Sequence, residues 1–466
     1  MLAAGNEVFK LLMNHYGKQA RLLILCGGGN NGGDGYVVAK LALEQGMSVT
    51  VKAVKQPGLL QGDAFTAYQD FVAVGGEIQS GEALEIKGFD VVVDALLGIG
   101  VRGAVRAEVA KVIEAVNQSL LPVVAVDLPS GLCSDTGRVL GVCIQAKHTV
   151  TFIGIKQGLV TGQARRYVGV LHYASLGIKP EFDQVQSAQA HLDSPSIIKQ
   201  IASRDPCAHK GLQGKALLVG GDYGLGGAIL IATRACLKSG AGLTACLTEQ
   251  RNISVGLVTS PEAMFANWKL HALEQRLTWC DAIALGPGLG QGEHALQLFS
   301  RTSRSNKVKV LDADALKLLA RESNIDNSRI ITPHPGEAAE LLACTIAEIE
   351  SDRYRASRAL QTQYGGVVVL KGAGTIVTDS DCHYVCRAGN AGMATGGMGD
   401  ALSGILVALL ARGIEITMAA RLGVMLHSHA ADLNVSAHGM CGLTASDVVD
   451  TLREAIFQAE VMAKDI

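Results

Sequence analysis

Short aliphatic runs, separated by glycine-rich turns and by stretches of helical period, make up most of the chain. Residues 22–26 (L-L-I-L-C) form one such run and residues 27–35 are dense in glycine. Residues 36–45 carry a helical apolar pattern closed by Gly46, and residues 49–54 are aliphatic again. The pattern predicts a strand, turn, helix and strand, and continuous rather than alternating apolar runs fit strands covered on both faces. Further strands are predicted at 90–95 and 122–127, with a helix over 105–117 between them, and at 149–153 and 168–173. A parallel, doubly wound sheet is the economical reading.

Between residues 180 and 206 the chain turns polar and loses any sustained apolar period, which places a boundary at 186/187. Beyond it the alternation restarts, with strands predicted at 215–220, 243–247, 282–285, 308–311, 330–331 and 367–370. Helices are predicted through Lys238 and from Asp400, Thr417 and Ser446. The expected fold is α/β throughout, in two domains, 1–186 and 187–466. There is no short-period repeat and no low-complexity segment.

Composition narrows the function classes. Lys+Arg 41 against Asp+Glu 43 gives a net charge of -2, which argues against a dedicated nucleic-acid binder. Asp222, Asp281 and Asp400 interrupt the longest apolar stretches, so no membrane span is expected. The start at Met1 lacks the basic-then-apolar layout of a secretory signal, and a cytoplasmic location is expected. Eleven cysteines scattered singly, such as Cys26, Cys236 and Cys246, read as small apolar residues in a reducing compartment. Cys382 and Cys386 are the one close pair and lack the partners of a zinc signature.

Chemistry in the first half concentrates at residues 26–35, C-G-G-G-N-N-G-G-D-G. The stretch nominally satisfies G-x-G-x-x-G through Gly27, Gly29 and Gly32. A nicotinamide dehydrogenase would carry an acid about 20 residues on to hold ribose hydroxyls, and V-K-A-V-K-Q-P-G has none. The pattern places Asn30, Asn31 and Asp34 on a turn whose glycines, Gly32 and Gly33 among them, let a ligand approach the backbone. Asx-turn or cap roles are the structural alternative for each. Asp94 and Asp127 open D-A-L-L-G-I-G-V-R-G and D-L-P-S-G at the ends of later strands, where carboxylates converge on one crevice. Asn, Asp and Ser oxygens suit a hard cation such as potassium or magnesium.

The motifs N-N-G-G-D-G, V-V-D-A-L-L-G-I-G and V-D-L-P-S-G, in this order over residues 1–180, resemble the Rossmann-like epimerase domain of the NAD(P)H-hydrate repair enzymes. The resemblance implies substrate contacts at Asn30, Asn31, Gly32, Gly33 and Asp34, and at Asp127. It implies others along the loop Gly98, Ile99, Gly100, Val101, Arg102, Gly103 and Ala104, and potassium held by Asn31, Asp94 and Ser130. Asp127 is the candidate acid/base for losing water from the hydrate and returning it to the other face. Ile99 stands where threonine is common in the family. Less helix precedes A-A-G-N-E-V-F than is usual there, so the start is expected to be shortened.

The second half carries its strongest motif at residues 389–402, G-N-A-G-M-A-T-G-G-M-G-D-A-L, running into an aliphatic helix. Glycines ending at a helix start can aim free N–H groups at a phosphate, with the helix dipole adding positive potential. Asp400 beside such an anion hole is placed to take a proton from an attacking hydroxyl, a helix cap being the alternative. Lys371 follows a buried strand and precedes glycine, from where an ammonium can reach phosphate; a surface lysine at a strand end is the alternative. His334 sits between Pro333 and Pro335, which stiffen its backbone. Asp312 and Asp314 read as caps of a helix from Ala315 rather than magnesium ligands. The other histidines, including His427 and His429, show no ligand spacing.

The glycine and aspartate spacing resembles the ribokinase-like fold. Within that superfamily G-G-D-Y-G-L-G-G-A, G-P-G-L-G, L-D-A-D-A-L, T-P-H-P-G-E and K-G-A-G-T look like the ADP-dependent NAD(P)H-hydrate dehydratases. That resemblance implies hydrated NADH or NADPH at Ala228, Gly288, His334 and Asp400. It places the adenine nucleotide at Lys371, Gly372, Ala373, Gly374, Thr375 and Gly399. It further implies Mg2+, ADP as phosphoryl donor, Asp400 as base, and phosphate elimination after phosphorylation of the hydrate. A homo-oligomer is expected. The alternative is a ribokinase-like small-molecule kinase with a non-catalytic ligand-binding N-terminal domain.

Overall fold

The computed structural model describes residues 1–79, 84–201 and 207–464, with side chains to residue 461. It divides into two compact units, Met1–Ala188 and Gln189–Ile466.

The first unit is built on six parallel strands: β1 (Leu22–Cys26), β2 (Val49–Ala53), β3 (Val91–Ala95), β4 (Val123–Val126), β5 (His148–Phe152) and β6 (Val170–Ala174), in the order β2-β1-β3-β4-β5-β6. Strands β1, β3, β4 and β5 are buried along their whole length, which is why they read as unbroken aliphatic runs. The sheet reverses direction of growth between β1 and β3, and a ligand crevice forms outside strand C-termini at such a point. Helix α1 (Leu2–Tyr16) covers one face with Val8, Leu11 and Leu12, packed with α2 (Asn30–Glu44) and α3 (Gly62–Ala73). Helix α4 (Ala107–Ser119) covers the other face through Ile113 and Val116.

The second unit holds a ten-stranded sheet. Its strands are β7 (Ala190–Asp193), β8 (Lys215–Val219), β9 (Leu243–Thr248), β10 (Met264–Asn267), β11 (Ala282–Leu285), β12 (Val308–Leu311), β13 (Arg329–Ile331), β14 (Val367–Leu370), β15 (Thr375–Thr378) and β16 (His383–Cys386). The order is β10-β9-β8-β11-β12-β13-β14-β15-β16-β7, with β15 antiparallel to both neighbours and the other pairs parallel. The helix Met398–Ala411, buried from Ala401 to Ala411, lies in the core against Gly226–Lys238. A close approach makes that possible: a Cβ at Gly404 would sit 2.0 Å from the Ala232 carbonyl oxygen.

Several local expectations change. The chain is helical from Asn30, so residues 30–34 form the first turn of α2 rather than a free turn. The polar stretch that marks the boundary also supplies β7, the edge strand of the second sheet. The strand β10 and the hairpin β15/β16 were not expected. Their residues, like those of β7, are few and partly exposed, which weakens the apolar signal. No helix among the described residues is long and apolar enough to cross a membrane.

Candidate active sites

In the first unit a cavity of about 1100 Å3 opens at the C-terminal ends of the strands. Asn30, Asn31 and Asp34 enter it from α2. The loop after β3 contributes Gly98, Ile99, Gly100, Val101, Arg102 and Ala104, and Asp127 projects from the end of β4. Gly32, Gly33 and Gly103 do not line it. A Cβ on Gly32 would lie 2.1 Å from the Gly27 carbonyl oxygen, so its absent side chain lets the helix start close on the strand end. Gly33 packs against the Met1 side chain and Ala64.

Beside the cavity lies an oxygen-rich cluster. Asp94 and Ser130 are fully buried. The Ser130 hydroxyl donates to Asp94 Oδ1 at 2.6 Å and its backbone N–H to Oδ2 at 2.8 Å. The Leu97 N–H donates to Ser130 Oγ at 2.9 Å, while Asn31 Nδ2 donates to the Leu97 carbonyl at 3.1 Å. The backbone of Leu97 thus ties Asn31 to the Asp94–Ser130 pair, and Asn31 keeps its amide oxygen for a ligand. Burial raises the Asp94 carboxyl to about 6, despite the opposing hydrogen bonds from Ser130 and Leu96. Carboxylate, amide and hydroxyl oxygens together suit a hard cation, so the donor set fits potassium.

Asp127 has a left-handed backbone, φ 68. That conformation is costly for a residue with a Cβ and turns the carboxylate toward the cavity. Lys156 forms an ion pair with it. The same ammonium donates to Thr151 Oγ1 at 3.1 Å and to the Phe152 carbonyl at 3.0 Å. Lys156 lines the cavity and escaped the sequence reading, because a lysine in G-I-K-Q-G, 29 residues from its partner, carries no periodic or motif signal. Across the same cavity, burial and then the charge of Asp127 raise the Asp34 carboxyl to about 7, with the N-terminal ammonium opposing.

In the second unit the loops after β8, β11, β12, β13 and β14 gather at the strand C-termini. Asp312 is buried and accepts from Thr332 Oγ1 at 2.7 Å, Lys371 Nζ at 2.9 Å and Ser403 Oγ at 2.8 Å. It caps nothing: the helix Asp314–Arg321 begins without a side-chain cap. Asp314 instead accepts from the Gly290 N–H at 3.0 Å and from Lys317 at 3.1 Å. Burial would raise Asp312, but Lys371 and the three donors hold it below the ordinary carboxylate value. Burial would likewise lower Lys371, yet Asp312, Glu337 and Asp400 hold it above its ordinary value. A methyl on Gly399 would come 3.2 Å from Lys371 Nζ, so the glycine leaves the lysine room at this helix start.

Asp400 stands in the first turn of Met398–Ala411, whose N-cap is Gly397. It makes no cap bond, which removes the capping alternative. Burial, then Asp312, Glu337 and Asp314, raise its carboxyl to about 7 against the pull of Lys371. His334 does cap a helix, its Nδ1 accepting from the N–H groups of Gly336 at 3.0 Å and Glu337 at 3.3 Å. Glu337, the last residue of T-P-H-P-G-E and given no role in the sequence reading, accepts the His334 N–H at 2.8 Å and lies 3.7 Å from Lys371. Gly288 is in the loop after β11, where its carbonyl accepts the Asp222 N–H at 2.6 Å. Ala228 lies in the first turn of Gly226–Lys238. Gly372, Ala373 and Gly374 form the turn into β15, where Thr375 Oγ1 donates to the Gly372 carbonyl at 3.0 Å. The buried guanidinium of Arg353 holds this turn through the carbonyls of Leu370 and Lys371.

Residues 216–454 match the family model described as NAD(P)H-hydrate dehydratase, and residues 1–158 match that of the YjeF-related protein N-terminus. A bifunctional NAD(P)H-hydrate repair enzyme of Vibrio cholerae is 51% identical over 98% of this chain and 93% of its own length. The chain belongs to the bifunctional NAD(P)H-hydrate repair enzymes. The Escherichia coli member of that name is 42% identical over 98% of this chain and 89% of its own. The ribokinase-like architecture of the dehydratase unit has a solved counterpart, the ADP/ATP-dependent NAD(P)H-hydrate dehydratase of Bacillus subtilis, crystallised with ATP/Mg2+. It aligns with a TM-score of 0.54 and 27% identity over 59% of this chain and 100% of its own. As a member of the repair enzymes, the chain is a nucleotide-dependent enzyme that pairs an epimerase-type domain with a dehydratase domain.

Proposed function

We propose that residues 1–186 interconvert the two epimers of hydrated NADH and NADPH, and that residues 187–466 dehydrate the S form at the expense of ADP. The observation that carries the second part is the buried Asp312–Lys371 pair at the start of Met398–Ala411, with Asp400 in the helix's first turn. Lys371, Gly372, Ala373, Gly374, Thr375 and Gly399 hold the nucleotide, its phosphates drawn to free N–H groups and an ammonium. Ala228, Gly288 and His334 bound the dihydronicotinamide. Asp400 takes the proton of the hydrate's hydroxyl as that oxygen bonds to the terminal phosphorus of ADP and AMP departs. The C–O bond to phosphate then breaks with help from the ring nitrogen lone pair. Loss of a proton from the next carbon restores the double bond. Mg2+ accompanies the nucleotide and neutralises its phosphates.

In the first unit the two carboxyls divide the work. Asp34, protonated near neutrality, gives its proton to the departing hydroxyl, and the ring nitrogen stabilises the cation left behind. Asp127, ion-paired with Lys156, takes a proton from the water that returns to the opposite face. The loop Gly98 to Ala104 holds the hydrate from above. Asn31, Asp94 and Ser130 would hold potassium, whose charge offsets the buried carboxylate. Buried, singly scattered thiols such as Cys26, Cys236 and Cys246 support a cytoplasmic location, and exposed Val255, Leu257 and Val258 on one helix support a homo-oligomer.

The test supplies full-length protein with S-hydrated NADH, ADP and Mg2+. NADH, AMP and inorganic phosphate are expected in equal amounts. A phosphorylated nicotinamide product that persists would instead identify a kinase.

A further inference from the structure

We propose that His15, His148 and His172 form a binding site for a divalent transition-metal ion of the zinc class, at the edge of the first sheet away from the substrate cavity. The three residues come from elements remote in sequence. In the β5/β6 register His148 lies opposite Val170 and Val150 opposite His172, so both imidazoles project from one face of the sheet. Val150 belongs to the core under α1, and the last turn of α1 delivers His15 to the same place. The His15 ring centroid lies 4.5 Å from that of His148 and 6.1 Å from that of His172. One ligand nitrogen from each residue lies within 4.8 Å of the other two, the only such group of His, Cys, Asp or Glu among the described residues.

The site is separate from the epimerase cavity. His148 opens β5 and Phe152, which lines the cavity, ends it, so the two are roughly 13 Å apart along the strand. His148 Nδ1 and His172 Nε2 are 3.0 Å apart and share one hydrogen. A tetrahedral ion with Zn–N bonds of about 2.0–2.1 Å holds its nitrogens ~3.3 Å apart, so the His148–His172 pair need open by only a few tenths of an ångström, and exposed His15 closes on the ion from α1. Both rings stay neutral on binding: the one that donates in the free pair shifts its proton to its outer nitrogen, and the acceptor already carries its proton there. Burial, and then neighbouring positive charge from His15, His172 and Lys147, holds His148 below its ordinary value; burial and His15 do the same to His172. Neutral imidazole is the form that binds metal. Tyr16 packs edge-on to His148 with centroids 6.3 Å apart, and its buried hydroxyl has no hydrogen-bond partner among the described residues. Bound metal would clamp the end of α1 to β5 and β6.

The experiment dialyses chelator-stripped full-length protein against Zn2+ and measures zinc per chain and thermal unfolding. His15→Gln is the first variant, since His15 is exposed and its loss leaves the core intact. His172→Gln is the second. The wild-type chain should hold one zinc more than either variant and show a rise in Tm with Zn2+ that both variants lose. Equal zinc content in all three proteins would overturn the proposal and leave the trio a stacked hydrogen-bonded cluster.

Discussion

At Asp400, activity and stability pull apart. Its carboxyl titrates near 7 in the folded chain, above the unfolded value, so ionisation opposes folding: the favourable contribution of the protonated form is present at low pH and lost as pH rises through about 7. Asp400→Asn should therefore lower dehydratase kcat by ~10²–10⁴-fold. The same variant should raise stability at pH 8 by roughly 1–3 kcal/mol, a gain that vanishes near pH 4. Steady-state kinetics and urea unfolding at the two pH values check this. In the wild-type enzyme kcat/KM for the hydrate should fall about tenfold per pH unit below 7. A profile flat from pH 6 to 8 would remove Asp400 as the base. Asp312→Ala should unfold the second unit more readily, by about 2–4 kcal/mol, because it removes the nearest counter-ion of Lys371 and the acceptor of the Thr332 and Ser403 hydroxyls. Lys156→Gln should cut epimerase kcat by ~10²-fold with KM little changed, and epimer exchange followed by proton NMR reads the split.

The same residues show what a sequence can and cannot carry. Asp400, Asn31 and Asp94 stand in glycine-rich or strand-end motifs, so their chemistry is visible in the pattern. Lys156 acts through a partner that only the fold brings near, and no local spacing marks it; Glu337 stands in T-P-H-P-G-E, but its approach to Lys371 is set by the fold. Asp312 was misread because D-A-D-A-L is as good a capping pattern as it is an approach to a buried lysine.

At the scale of elements, the buried aliphatic strands were legible to within a residue or two, and β1, β11, β12 and β14 to the residue. Continuous burial on both faces writes itself directly into composition. Edge strands β7 and β10 lack that imprint. The start of α2 was misplaced because dense glycine reads as loop, whereas here it permits a helix start to close on β1. Helix α1 is the element whose removal should be felt most in the first unit. Leu12→Ala, at a fully buried position, should cost about 2–5 kcal/mol in chemical unfolding followed by a probe in that unit.

For the whole molecule, each unit holds its own pair of apolar cores around its own sheet. The epimer supplied to the dehydratase is set by one site and its repair by the other, so the activities should be separable by single substitutions. The most direct test adds full-length protein, ADP and Mg2+ to an epimeric mixture of hydrated NADH and follows dihydronicotinamide absorbance. Complete recovery faster than spontaneous epimer exchange is expected, with recovery limited to the S fraction in Asp127→Asn and abolished in Asp400→Asn. Complete, rapid recovery by the Asp127→Asn protein, or any recovery by Asp400→Asn at the wild-type rate, would contradict the assignment of the two sites.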